Sequence, residues 1–68
     1  MKLTVNGSER DYEHVGTIAD LLVNLHGAAD PAGVAVAVND AVVPRPQWVN
    51  AALSDGDRVE VITAVQGG

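Results

Sequence analysis

The last five residues, AVQGG (64–68), carry the clearest chemical signal in this sequence. A C-terminal carboxylate has a pKa of about 3.5, so at neutral pH it is an oxygen nucleophile. Its attack on the α-phosphate of ATP would give an acyl-adenylate, whose acyl group a sulfur, nitrogen or oxygen nucleophile can then take. Glycines permit close backbone approach inside a partner's channel, and the Gln66 amide can hydrogen-bond along it. The alternative is a frayed end or a cloning remnant.

The remaining reactive side chains fit structural roles better than a catalytic or metal site. His14 and His26 have no carboxylate or second imidazole at metal-ligand spacing, and we expect a loop residue and a helix-end residue. A serine nucleophile would have to be Ser8 or the serine of SDGD (54–57), and both lie in turn sequences. The glycines follow no phosphate-binding pattern. We therefore predict no metal site, no bound cofactor and no catalysis by the chain itself.

Composition excludes several other classes of protein. The 68 residues include no cysteine, which excludes a disulfide framework, a thiolate zinc site and a cysteine nucleophile. A formal net charge of −5 argues against a nucleic-acid partner and suits docking to a basic protein surface. The sequence has no apolar run of signal-peptide or transmembrane length. We expect a cytoplasmic protein with no membrane partner.

The elements that must position the tail begin with a hairpin. Leu3 and Val5 alternate with polar residues, which is the period-two pattern of a half-buried strand. The dipeptide NG (6–7) is a strong hairpin signal because both residues tolerate positive φ. We expect the return strand to run through SERDYEHV (8–15), with Tyr12 as its anchor in the core.

A helix is predicted after the hairpin. Thr17 can cap the first free amides, and Asp20 stands at the position of an acidic capping-box residue. His26 followed by Gly27 is typical of a helix C-terminus. Between these signals, four apolar residues have the spacing i, i+3, i+4, i+7 of one helical stripe: Ile18, Leu21, Leu22 and Leu25.

Two strands and a short helical turn are predicted for the middle of the chain. VAVAVN (34–39) has no charge on either face, so we place it inside the sheet. The strand in NDAVV (39–43) is ended by prolines, which cannot donate to a ladder. We expect a turn of helix in PQWVNAAL (46–53), with Trp48 and Leu53 packed inward.

The last strand is predicted in RVEVITAV (58–65), and it leads into the tail. Alternation places Ile62 on the outward face, where an exposed apolar residue commonly marks an interface. We therefore predict that Ile62 docks a partner, while Val65, Gln66 and Gly67 enter that partner's channel. The predicted inward-facing residues of the strand are Val59, Val61, Thr63 and Val65.

Together these elements predict an α+β fold. After the hairpin, a single helix can cross one face and let the last strand pair beside the first, parallel to it. A mixed sheet of four to five strands with one main helix on one face is the β-grasp, or ubiquitin-like, roll. We expect residues 1–64 to form this domain and residues 65–68 to form a flexible C-terminal tail.

The sequence resembles the thiamine-biosynthesis sulfur carrier proteins (ThiS-type) along its whole length. The most specific part runs from VAVAVN through VVPR to the tryptophan. A terminal Gly-Gly alone does not separate this family from other ubiquitin-like modifiers. The matching segments are VNG (5–7), TIADLL (17–22), VAVAVND (34–40), VVPRPQW (42–48), DGDRVEVI (55–62) and AVQGG (64–68).

The resemblance implies a specific use of the tail. An E1-like adenylating enzyme would use ATP and magnesium to convert the Gly68 carboxylate into an acyl-adenylate. Cysteine-derived sulfur, delivered as a desulfurase persulfide, would displace AMP and leave a thiocarboxylate on Gly68. That thiocarboxylate would donate sulfur to thiazole synthase, which builds the thiazole ring of thiamine. A carrier of this kind needs no cysteine, because the sulfur is carried on the backbone terminus.

Three other functions share parts of this pattern. One is a sulfur carrier of another pathway, such as the small subunit of molybdopterin synthase. Another is a covalent protein modifier, in which Gly68 would form an isopeptide bond to a lysine. The third is a β-grasp interaction module with an incidental tail, for which deletion of Gly67 and Gly68 would change no activity.

Overall fold

The computed structural model describes residues 1–64, which form one mixed β-sheet with an α-helix and a short 3₁₀ helix. The α-helix, α1, covers Ile18–His26, and the 3₁₀ helix covers Arg45–Gln47. The sheet has the strand order β2-β1-β5-β3-β4. Its strands are β1 (Lys2–Val5), β2 (Ser8–Asp11), β3 (Val34–Val38), β4 (Ala41–Val43) and β5 (Arg58–Thr63).

Parallel pairing of β1 with β5 places the last strand at the centre of the sheet. Val5 lies opposite Val59 in this ladder, and the other strand pairs are antiparallel. The Asn6 side chain extends the pairing, because Nδ2 donates to the Val61 carbonyl at 3.1 Å and Oδ1 accepts from the Val61 N–H at 2.8 Å. The predicted α+β arrangement, with the last strand parallel to the first, is confirmed.

The first hairpin turns where the sequence predicts, but its second strand is shorter than expected. Asn6 and Gly7 have φ angles of 50° and 84°, the left-handed values that the tight turn requires. β2 ends at Asp11 instead of continuing through residue 15. The Tyr12 N–H donates to the Met1 carbonyl at 2.7 Å, so the partner strand has reached its end. Tyr12 is nevertheless buried, as predicted.

Helix α1 begins and ends at the predicted caps. The Thr17 hydroxyl accepts from the Asp20 N–H at 3.2 Å, and Gly27 ends the helix with a φ of 78°. In return, the Asp20 carboxylate accepts from the N–H groups of Gly16 at 2.9 Å and Thr17 at 3.0 Å. These backbone donors, Gly16 first and then Thr17, hold the pKa of Asp20 below its ordinary value because they stabilise the charged form.

The replacement Asp20→Asn is expected to lower the melting temperature at neutral pH. The folded-state pKa of Asp20 lies below the unfolded value, so ionisation stabilises the fold. This stabilisation is complete above the unfolded pKa of about 3.9 and is lost as the pH falls through the folded value. Circular dichroism melts of both proteins, from neutral to acidic pH, should therefore converge. A melting-temperature difference that stays constant with pH would contradict this role.

The core lies between α1 and the inward face of the sheet. Trp48 joins it at 2% exposure, and its Nε1 donates to the Val43 carbonyl at 2.8 Å. Leu53 is also buried, so the predicted inward packing of Trp48 and Leu53 is confirmed. The helical turn expected within residues 46–53 instead covers Arg45–Gln47. The large side chains that are fully buried are Leu3, Ile18, Leu21, Leu22, Val36 and Val59.

Two predicted core positions are wrong. Leu25 follows the helical stripe but is 37% exposed, because it lies in the last turn of α1, where the burial of the stripe ends. Thr63 continues the inward alternation of β5 opposite Val34, yet it is the last residue of the strand and is exposed. Periodicity fixes the side of an element on which a residue lies, but it does not fix how far the packed layer extends.

Candidate functional site

Among residues 1–64, none of the helices covers one face of the sheet, which we call the open face, because the helix α1 and the core occupy the other. On β5, Val59 and Val61 are buried, and the alternating residues Glu60 and Ile62 are exposed. The same alternation turns the valines of β3 towards the core and its alanines towards the open face. The central strand therefore presents side chains both to the core and to solvent, and it leads directly to the predicted tail.

The open face is apolar on β3 and β4 and at the tail end of β5. Ile62 is 58% exposed and lies opposite Ala35, while Val42 is 77% exposed and lies opposite Ala37. We call Ala35, Ala37, Val42 and Ile62 the tail-side patch. The outward position predicted for Ile62 is confirmed. Sequence reasoning missed Val42, since its place beside the alanines depends on the β3–β4 register.

The rest of the open face is polar, and its residue Glu60 lies directly opposite Ala37 of the tail-side patch. Arg58 pairs with Asp40 at 3.0 Å at the end of β5 opposite the tail. An exposed apolar patch beside polar residues is the usual appearance of a protein-interaction site. The polar residues of this face are Lys2, Thr4, Glu9, Asp11, Arg58 and Glu60.

The tail begins from a fixed point at Ala64, which we call the tail root. Its N–H donates to the Gly33 carbonyl at 2.7 Å, immediately beyond the last paired residue of β5. Gly33 has a φ of 73°, a left-handed value that favours glycine. The predicted tail residues Val65, Gln66, Gly67 and Gly68 lie outside the residues that the structure describes.

Both histidines have the structural roles predicted for them, whereas Ser8, which was expected in a turn, is the first residue of β2. His14 lies in the loop after β2, and His26 is the last residue of α1. The carboxylate of Asp55 accepts from the Lys2 N–H at 2.6 Å, and that of Asp57 accepts from the Ser54 N–H at 2.8 Å. Within residues 1–64, no three His, Cys, Asp or Glu side chains are grouped to hold a metal ion. In the same range, no helix has the length and apolar character needed to span a membrane.

Sequence reasoning missed a second feature, the contacts of Arg45. Its guanidinium carbon lies 4.6 Å from the centre of the Trp48 ring and borders a cleft of about 310 Å³. The guanidinium also pairs with Asp30, in the loop before β3. The basic residue between two prolines in PRPQW was the available signal for this feature. Its hydrogen-bond partners, however, come from a distant part of the chain.

Comparison with known proteins identifies the family. Residues 3–68 match the sequence model of the ThiS family. The chain belongs to the ThiS family. Among solved structures, this ThiS-family chain resembles the thiamine biosynthesis protein ThiS from Geobacter metallireducens, with a TM-score of 0.80 and 31% identity over the whole of both chains. The β-grasp fold and the resemblance predicted from the sequence are both confirmed.

Two curated relatives of this ThiS-family chain differ in length. A thiazole synthase from Paramagnetospirillum magneticum is 37% identical over 68 residues, which is 100% of this chain and 20% of that protein. The sulfur carrier protein ThiS of Escherichia coli is 40% identical over 37 residues, or 54% of this chain and 56% of that protein. The chain therefore spans about a fifth of the first relative's length, and its match covers just over half of the second.

Proposed function

We propose that this chain is a sulfur carrier for the synthesis of the thiazole ring of thiamine. The observation that carries the proposal is the family match, which runs from residue 3 through the Gly-Gly at 67–68. The chain acts as a protein co-substrate: it supplies the reacting carboxylate, and its partners supply the catalysis. ATP and magnesium belong to the adenylating partner and not to this chain.

The chemistry takes place at the Gly68 carboxylate. Its oxygen attacks the α-phosphorus of ATP, which forms an acyl–phosphate bond and releases pyrophosphate. The terminal sulfur of a desulfurase persulfide then attacks the acyl carbon, and AMP leaves with the bonding electrons. A second thiol reduces the resulting acyl disulfide and frees the thiocarboxylate, which delivers its sulfur to thiazole synthase.

The tail-side patch provides the docking surface for this chemistry. It lies on the open face of the sheet, and Ile62 is two residues before the tail root at Ala64. A partner that covers the patch therefore meets the chain where Val65, Gln66 and Gly67 begin, and these residues enter its channel. Two partners use the surface in turn: an E1-like adenylating enzyme and thiazole synthase. For the second, support comes from the relative named thiazole synthase, which matches this whole chain within a longer protein.

Carrier-dependent exchange of labelled pyrophosphate into ATP tests the adenylation step. The adenylating enzyme should catalyse exchange with the full chain and lose it with the chain shortened by Gly68, because the reacting carboxylate is displaced by one residue. The shortened chain keeps residues 1–64, and matching circular dichroism spectra would show that its fold is intact. Equal exchange with both chains would contradict the proposal. Conjugates to lysine in cell extract would favour a protein modifier instead.

A further inference from the structure

Arg45 makes four contacts, three of which join the 3₁₀ helix to the segment from Asp30 to Val34, at the start of β3. Its Nη1 pairs with the Asp30 carboxylate and donates to the Pro31 carbonyl at 2.9 Å. Its Nη2 donates to the Val34 carbonyl at 3.2 Å, and the guanidinium stacks over the Trp48 ring. The planar guanidinium therefore connects the buried tryptophan with one backbone carbonyl of the loop and with one at the start of β3.

The peptide that holds the tail root lies between those two carbonyls. The Gly33 carbonyl accepts from the Ala64 N–H, and Gly33 stands between Pro31 and Val34 in the chain. The loop itself is mostly exposed from Gly27 to Gly33, so little packing holds its backbone in place. The Arg45 contacts therefore lie on either side of the residue whose carbonyl holds Ala64.

The two carbonyl contacts are more important than the ion pair. The Arg45 side chain is 38% exposed and that of Asp30 is 70% exposed, and solvent-exposed pairs contribute little to stability. The bonds to the carbonyls are partly buried and charge-assisted, which makes them stronger than bonds between neutral groups. Removing Arg45 would leave both carbonyls without this donor in a partly desolvated position.

We propose that Arg45 is a positioning residue for the tail: it fixes the tail root at Ala64 through the Pro31 and Val34 carbonyls, which lie on either side of Gly33. This inference rests on the proposed sulfur-carrier function for its consequence, which is the productive entry of the tail into the adenylating enzyme. A carrier without the Arg45 contacts to the Pro31 and Val34 carbonyls, which we call the clamp, still docks through the tail-side patch. A smaller fraction of docked complexes then presents Gly68 to ATP, so kcat falls while KM is nearly unchanged.

Amide hydrogen exchange tests the clamp without any partner. Arg45→Met removes every donor and keeps an apolar side chain next to Trp48. We expect the Ala64 amide to exchange about tenfold faster in this variant, while the Val36 amide in the sheet changes little. Equal acceleration at Ala64 and Val36 would indicate global destabilisation and overturn the proposal. So would an unchanged Ala64 rate.

Two matched variants distinguish the loss of the Arg45 contacts to the two carbonyls from the loss of a charge. Arg58→Met makes the same chemical change and breaks the ion pair with Asp40, but at the opposite end of β5. Asp30→Asn removes the charge partner of Arg45 and leaves both carbonyl contacts in place. Neither should accelerate exchange at Ala64 appreciably, and a response to either as large as that of Arg45→Met would overturn the proposal. If Arg45→Met does not fold, Arg45→Lys replaces it, because a single ammonium group cannot reproduce the donor geometry of the planar guanidinium.

Carrier-dependent adenylation then tests the consequence. With Arg45→Met at saturating carrier concentration, kcat should fall about tenfold while KM stays nearly unchanged. A rise in KM with unchanged kcat would show that Arg45 contributes to docking and not to positioning. If the unaltered chain supports no adenylation by an enzyme active on another carrier, the proposed function fails. The exchange rates would still decide whether Arg45 fixes Ala64.

Discussion

Ile62→Asp is expected to weaken binding of the chain to its adenylating enzyme by about a hundredfold, which corresponds to about 2.7 kcal/mol. Ile62 contributes the largest side chain of the tail-side patch and is 58% exposed in the free chain. Burying an isoleucine contributes about 1.5–3 kcal/mol, and an aspartate at the same position would be desolvated without a partner. Titration calorimetry with the purified enzyme measures the change directly.

Val23→Asp is the matched control for this prediction. Val23 is 50% exposed, and it lies on α1, which packs against the other face of the sheet. The substitution adds the same negative charge to a chain whose net charge is already −5, so long-range electrostatic effects are matched. We expect binding to change less than about threefold. Equal weakening by both variants would mean that charge, and not the tail-side patch, determines docking.

Leu21→Ala should have the largest effect on stability, lowering the free energy of unfolding by about 3–5 kcal/mol. Leu21 is fully buried between α1 and the sheet, and alanine would leave a cavity there. A domain of this size has a total stability of roughly 3–10 kcal/mol, so the variant should be largely unfolded or close to it. Urea denaturation, followed by the fluorescence of Trp48, gives both free energies.

The matched control is Leu25→Ala, on the same helical stripe. Leu25 is 37% exposed, so truncation should cost no more than about 1–1.5 kcal/mol. The comparison keeps residue type, helix and helix propensity the same, and it changes only burial. If the two variants are equally destabilised, the assignment of Leu25 to the exposed end of the stripe is wrong.

Local signals in the sequence predict most of the elements of this fold. The dipeptide at 6–7, the cap at Thr17 and the glycine at 27 each act within a few residues, so their turns and helix ends can be read directly. Strand alternation likewise predicts the outward position of Ile62 correctly. These features depend on backbone preferences and on the periodic spacing of apolar residues, both of which are properties of short segments.

The features that sequence reasoning missed depend on how distant segments meet. Thr63 and Leu25 follow the correct periods, but the core does not cover the ends of their elements. Val42 joins the tail-side patch only through the pairing of β4 with β3. The hydrogen bonds from Arg45 to Asp30, Pro31 and Val34 join residues 11 to 15 positions apart, and the tail root adds the Gly33–Ala64 bond. The roles of Ile62 in docking and of the last four residues in chemistry stay predictions.

The intact mass of the chain tests the central claim most directly. The chain is incubated with ATP, magnesium, its adenylating enzyme and a cysteine-derived sulfur source, and its mass is measured before and after. We predict a gain equal to the replacement of one oxygen by one sulfur, and no gain when Gly68 is deleted. An unchanged mass, with an enzyme shown to be active on another carrier, would contradict the sulfur-carrier account.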